Sequence, residues 1–170
     1  GAGGNVDISA DINGEKSDSV IRFNVDGEQK VAVDSNGALL LSTAGTRRNT
    51  KGSSQYQALL IEGTTNDTSR MSMIRSSNDD NGPEIQIIKT RGTSVGSVTK
   101  PNQNDYLGSF VFIGGDDSDL YSRGAEISVQ ATGTPANDRI PSDIIVSTTP
   151  ASGPTSPQQR LRINSQGCVI

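Results

Sequence analysis

The chain has no histidine, no tryptophan, a single cysteine and only 4% aromatic residues among its 170. Each shortage closes off a class of chemistry. Without histidine there is no Ser-His-Asp or Cys-His nucleophilic machinery, and the commonest metal ligand is missing. With Cys168 alone, no disulfide can form within the chain, and a structural zinc site has no thiolate set to draw on. Cys168 reads as a small apolar strand residue. No phosphate loop or dinucleotide fingerprint occurs, so no cofactor and no metal are expected. Apolar runs are short, so no membrane insertion is expected, and Gly1 does not open a signal peptide. The 15 basic and 19 acidic residues are interspersed, for a net charge of −4. A basic stripe is lacking, which argues against a nucleic-acid partner.

Carboxylate pairs are the catalytic option that remains, as in a glycosidase. The five glutamates are Glu15, Glu28, Glu62, Glu84 and Glu126. With so few aromatic residues to stack on a sugar ring, no enzyme is expected. The stretch "DINGEKSD" (11–18) has the flavour of a calcium loop. Its Gly14 stands fourth rather than sixth, however, and no glutamate closes the loop at the twelfth position.

What is present is strand-and-turn writing. Leu, Ile, Val and Phe make up roughly a fifth of the chain, close to where a monomeric core becomes doubtful. They are clustered, rich in Ile and Val, and separated by Gly, Asn, Asp, Ser and Pro. No window keeps a 3.6-residue period, so no helix is expected. Strands are expected over 6–12, 20–25, 30–33, 38–42, 56–63, 70–76, 83–91, 107–115, 124–133, 142–149 and 160–163. Alternation places Met71 with Met73, Ile85 with Ile87, and Ala125, Ile127, Val129 and Ala131 each on a common face. Phe110 and Phe112 lie on one side of their strand, with Val111 and Ile113 on the other. Apolar residues on both sides suggest a strand buried on both faces. In so polar a chain that requires a second sheet or another subunit. The basic, apolar-free stretch 43–55 reads as a linker.

One phrase occurs twice. Residues 29–40 read "QKVAVDSNGALL" and residues 159–170 read "QRLRINSQGCVI". Each predicts a short strand, a type I turn closed by a left-handed glycine (34–37 and 164–167), and a return strand. A lone hairpin is unstable in water, so each copy must dock on something. Repetition of this kind suits a fibrous protein that stacks β units along an axis.

The stretch 56–170 resembles a domain of tail-fibre and related virion proteins of tailed bacteriophages. The pieces that carry the likeness are "ALLIEGT", "RMSMIRSSNDDNGPEIQIIKTRGTSVGS", "YLGSFVFIGGDDSD", "GAEISVQATGTPANDRIPSDIIVSTTP" and the closing "QQRLRINSQGCVI". "SVIRFNVDGEQKVAVDSNGALLLST" is similar to the same family's connector phrase. In many such proteins a self-cleaving intramolecular chaperone follows; no such domain is visible in these residues. In such fibres the phrase usually runs on past its second turn, so the chain is expected to stop inside a module.

The resemblance implies an all-β chain: an antiparallel β-sandwich or jelly-roll-like domain flanked by short β-hairpin connectors, assembled as a homotrimeric fibre. The expected divisions are a stalk over 1–42, a linker over 43–55, a β domain over 56–158 and a connector hairpin over 159–170. Implied partners are further copies of the chain, other virion proteins and a host-surface glycan, in a virion fibre outside the cell. Val31, Val33, Leu39, Leu161, Ile163 and Val169 are the residues expected to pack about the shared axis. Asp116, Asp117 and Asp119, with Tyr121, form an acidic hairpin tip. It reads either as a solvated turn or as a contact loop for a glycan. A purely architectural fibre spacer and a glycan depolymerase stand as the other functional readings.

Overall fold

The computed structural model describes residues 8–11, 14, 19–43 and 57–170. Val6, Asp7 and Ile12 of the expected first strand, most of the linker, Tyr56 and most of the calcium-like loop lie outside the described residues, and the described residues 8–11 form no strand. Among those described there is no helix. The chain divides into two compact units, Gly1–Asn78 and Asp79–Ile170, each with one four-stranded sheet.

The leading sheet contains β1 (Ile21–Val25), β2 (Glu28–Val33), β3 (Leu39–Leu41) and β4 (Leu59–Ile61), in that spatial order. β1–β2 and β2–β3 are antiparallel, and β4 runs parallel to β3. Residues opposite one another across a ladder point to the same face. One row is therefore Arg22, Ala32, Leu40 and Leu60. Ala32 and Leu40 in that row are fully buried, and with Ala38 they form the small apolar core on which Val20 and Leu60 pack.

The second sheet is an antiparallel meander of β5 (Tyr106–Gly114), β6 (Ser122–Ala131), β7 (Ser142–Thr148) and β8 (Gln158–Ile163). Its polar row, Ser109, Ser128, Ile145 and Arg162, lies on the better-covered face, where Ser128 and Ile145 are buried. Asp143 is buried beside them and is held by three groups. The Thr132 hydroxyl donates at 2.6 Å, Arg162 Nε at 2.5 Å and the Ser165 N–H at 2.9 Å. A buried carboxylate is tolerable only when its lone pairs are used this fully.

The all-β class is what the structure shows. The second layer of a sandwich or jelly roll, by contrast, is not supplied within either unit among the described residues. The reason lies in two expected strands. Residues 70–76 and 83–91 are assigned to no ladder, although they alternate as strands do. No backbone–backbone hydrogen bond joins residues 80–90 to another described residue. Alternation marks side chains that share a face, but among the described residues it comes with no neighbouring strand.

Candidate functional site

The second sheet places its apolar side chains on the face opposite Ser128 and Ile145. Three cross-strand rows build that face: Gly108, Val129, Ile144 and Ile163; Phe110, Ile127, Val146 and Leu161; and Phe112, Ala125 and Thr148. Ile163 is also bridged to Val169. A face with so little polar surface belongs in a core, yet Phe110 is 53% exposed, Phe112 57% and Ile127 40%. Four strands about 4.8 Å apart and about seven residues long present roughly 400 Å². An open apolar patch of that size marks an interaction surface more often than bare monomer surface.

A shallow apolar concavity of ≈ 320 Å³ sits on this face. Ile87 closes one side of it and Phe110, Ile127 and Ile144 line the rest. Ile87 can lie there because residue 108 is a glycine. A Cβ at that position would collide with the Ile87 side chain.

The leading sheet repeats the arrangement on a smaller scale. Its open rows are Ile21, Val33, Leu39 and Leu59, and Phe23, Val31, Leu41 and Ile61. Phe23 and Leu59 are half exposed. Val31, Val33 and Leu39 thus share the open face of one sheet, and Leu161, Ile163 and Val169 share the open face of the other. Their coverage by neighbouring chains is a matter for the proposal below.

The two copies of the repeated phrase fold into the same turn. In the first, the Asp34 carboxylate accepts the N–H groups of Asn36 and Ala38, each at 2.9 Å, while Gly37 N–H donates to the Asp34 carbonyl at 2.9 Å. In the second, the Asn164 side-chain oxygen accepts from Gln166 at 3.0 Å and Cys168 at 2.9 Å, and Gly167 N–H donates to the Asn164 carbonyl at 2.8 Å. Gly37 and Gly167 have φ of 78° and 81°. Asp and Asn side chains are the best suited to accept from their own loop in this way, and glycine takes the left-handed position without strain.

The acidic tip belongs to the β5–β6 loop. Asp116 accepts from the N–H groups of Ser118 and Asp119 at 3.1 and 3.0 Å, and from the Ser122 hydroxyl at 2.6 Å. The Ser122 hydroxyl first, then those N–H groups, hold its carboxyl below the usual range. Asp119 accepts the Tyr121 N–H at 2.9 Å. Asp117 takes a left-handed φ of 69°. These carboxylates therefore shape their own loop. Among the described residues no group of three or more acidic, Cys or His side chains could hold a metal ion. No helix there is long and apolar enough to cross a membrane. Glu126, on β6, pairs with Arg123 at 3.3 Å.

Sequence reasoning singled out the axis residues through the repeat but did not name Phe110, Ile127, Ile144 or the Ile87–Gly108 seat as a surface. The signal was present in the alternation of β5 and β6. The register that aligns them with β7 and β8 was not.

No family model matches the sequence, and no curated protein matches it. Solved structures do. The carboxy-terminal domain of the bacteriophage T5 L-shaped tail fibre superposes with a TM-score of 0.65 at 14% identity, over 92% of this chain and 67% of that one. The same domain with its intramolecular chaperone domain gives 0.68 at 15%, over 92% of this chain and 46% of that one. At such identities the likeness is one of fold.

Proposed function

We propose that the chain is a structural and adhesive segment of a bacteriophage fibre, working as a homotrimer in the virion, outside the cell. The observation that carries this reading is the continuous apolar face of the second sheet, left open in a chain whose fold is that of a tail-fibre domain. Three copies would close those faces on one another about an axis, covering the apolar side chains that the single chain leaves open. Val31, Val33 and Leu39 would line that axis at one end, and Leu161, Ile163 and Val169 at the other. Other virion proteins would flank the segment along the fibre. Repeated weak contacts to a host-surface glycan, made at the loop of Asp116, Asp117, Asp119 and Tyr121, would add up by avidity.

Light scattering or native mass measurement of the purified chain is the test. A trimer is expected; a monomer at micromolar concentration overturns the reading. One observation favours a spacer without receptor contact: Asp116 and Asp119 are already engaged by their own loop. Binding to host envelope glycan that is lost in Tyr121→Ala would keep the adhesive role. Normal virion assembly without any glycan binding would leave the spacer.

A further inference from the structure

We infer that residues 84–90 are a β-strand completed only by a second copy of the chain, adding to the free edge of that copy's β5. The inference rests on the self-association proposed above and specifies how it is made. Four observations carry it.

The first is the segment itself. "EIQIIKT" alternates, is rich in β-branched residues and contains neither glycine nor proline. None of its backbone groups makes a backbone–backbone hydrogen bond among the described residues. Ile85 is 56% exposed and Ile88 77%. Alternating, apolar toward solvent and without a ladder among the described residues is the state of a strand without its sheet.

The second is the acceptor. Among the described residues, β5 lies at the margin of its sheet and pairs only with β6. Its nine residues, "YLGSFVFIG", carry no charge and no proline. Proteins that leave an edge in water normally protect it with Lys, Pro or a covering loop. An edge without such protection is suited to receiving a strand.

The third is position. Ile87 is seated against Gly108 of its own β5, so the segment is held beside the open face rather than free to wander. Seven residues at about 3.3 Å each span about 23 Å. With the roughly 400 Å² sheet face, their flank brings the apolar surface toward the ~800 Å² per partner of a stable interface.

The fourth is stoichiometry. Each copy offers one strand and one edge, so pairing the strand of one with the edge of the next is heterologous, and three such steps can close a ring. An unrelated partner would leave one of the two unsatisfied.

Hydrogen exchange on the associated protein, read together with its mass, tests this. Alternate amides of 84–90, those facing the β5 edge, should exchange at least about 100-fold more slowly than in an unpaired segment. Neighbouring N–H groups on a strand point to opposite edges. Either Ile85→Pro or Gln86→Pro should therefore weaken association by at least about tenfold, because a ladder bond is lost in each of three interfaces. Ile85→Val and Gln86→Ala should leave association in place. An associated protein with fast exchange over 84–90, or one indifferent to both prolines, overturns the inference and leaves the trimer standing. A monomer overturns both.

Discussion

In the leading sheet the inward row is Arg22, Ala32, Leu40 and Leu60; in the second sheet the matching row is Ser109, Ser128, Ile145 and Arg162. Both sheets leave an apolar face open, and both include the same Asx-type hairpin. They differ in what stabilises the other side. The leading sheet relies on a few apolar residues, with Leu40 the one large side chain fully buried among the described residues. The second relies on polar fastening. Asp143 ties β7 to Thr132, Arg162 and Ser165, and Arg91 grips Asp105 with two bonds at 2.6 and 2.7 Å. A sheet can therefore spend its best apolar residues on an outer surface, provided hydrogen bonds and ion pairs fix the side turned inward.

That contrast can be broken most strongly at the open faces. Ile127→Asp, at the centre of the larger face, should reduce self-association by on the order of 100-fold or more, because each copy would bury a charge in place of 1.5–3 kcal/mol of apolar side chain. Phe23→Asp on the smaller face should do less. Analytical ultracentrifugation ranks the two, and equal effects would mean that the faces are equivalent.

Next comes the leading core. Leu40→Ala should cost about 2–5 kcal/mol, enough to lose the leading sheet while β5–β8 keep their protection in hydrogen exchange. Loss of protection in both units would show that they do not fold independently.

The hairpins should respond alike. Gly37→Ala and Gly167→Ala each meet open space, so only the left-handed backbone opposes them. Each should cost about 1 kcal/mol in thermal melts. A clearly larger loss at one would mean that its turn also packs on something.

The smallest effect is a pH response confined to the second sheet. The Asp143 carboxyl is held below its ordinary range by the Thr132 hydroxyl, and then by Arg162 and the Ser165 N–H. Asp105 is held low as well, chiefly by Arg91. A depressed folded-state value gives stabilisation that is complete above the ordinary aspartate range near 4 and disappears as pH falls through the folded value. The second unit should therefore lose Tm as pH drops below about 4, by less than either hairpin substitution costs. Asp143→Asn should flatten part of that slope. In the leading sheet Glu28 is also held low, by Lys30, but that pair is exposed and should contribute little. An acid response of the same size in both units would contradict the contrast.

Much of the fold was legible before the structure. Period-two alternation marked β5 through β8 to within two residues at each end, since one buried or apolar face forces that spacing on a strand. The repeated phrase foretold two identical turns, down to glycine at the left-handed position. The same alternation over 70–76 and 83–91 led to strands that have no ladder among the described residues. The signal there was local, and ladder pairing is not.

The sequence by itself determined the class of structure, the turns, and which side chains share a face. These follow from backbone stereochemistry and a two-residue period, which act over a few residues. Only the tertiary structure decided which faces meet. It aligned Phe110, Ile127, Val146 and Leu161 into one exposed row, buried Ser128 and Asp143 on the opposite side, and set Ile87 over Gly108. Those outcomes depend on the register between strands up to about fifty residues apart. No residue in such a row carries a mark of its partner.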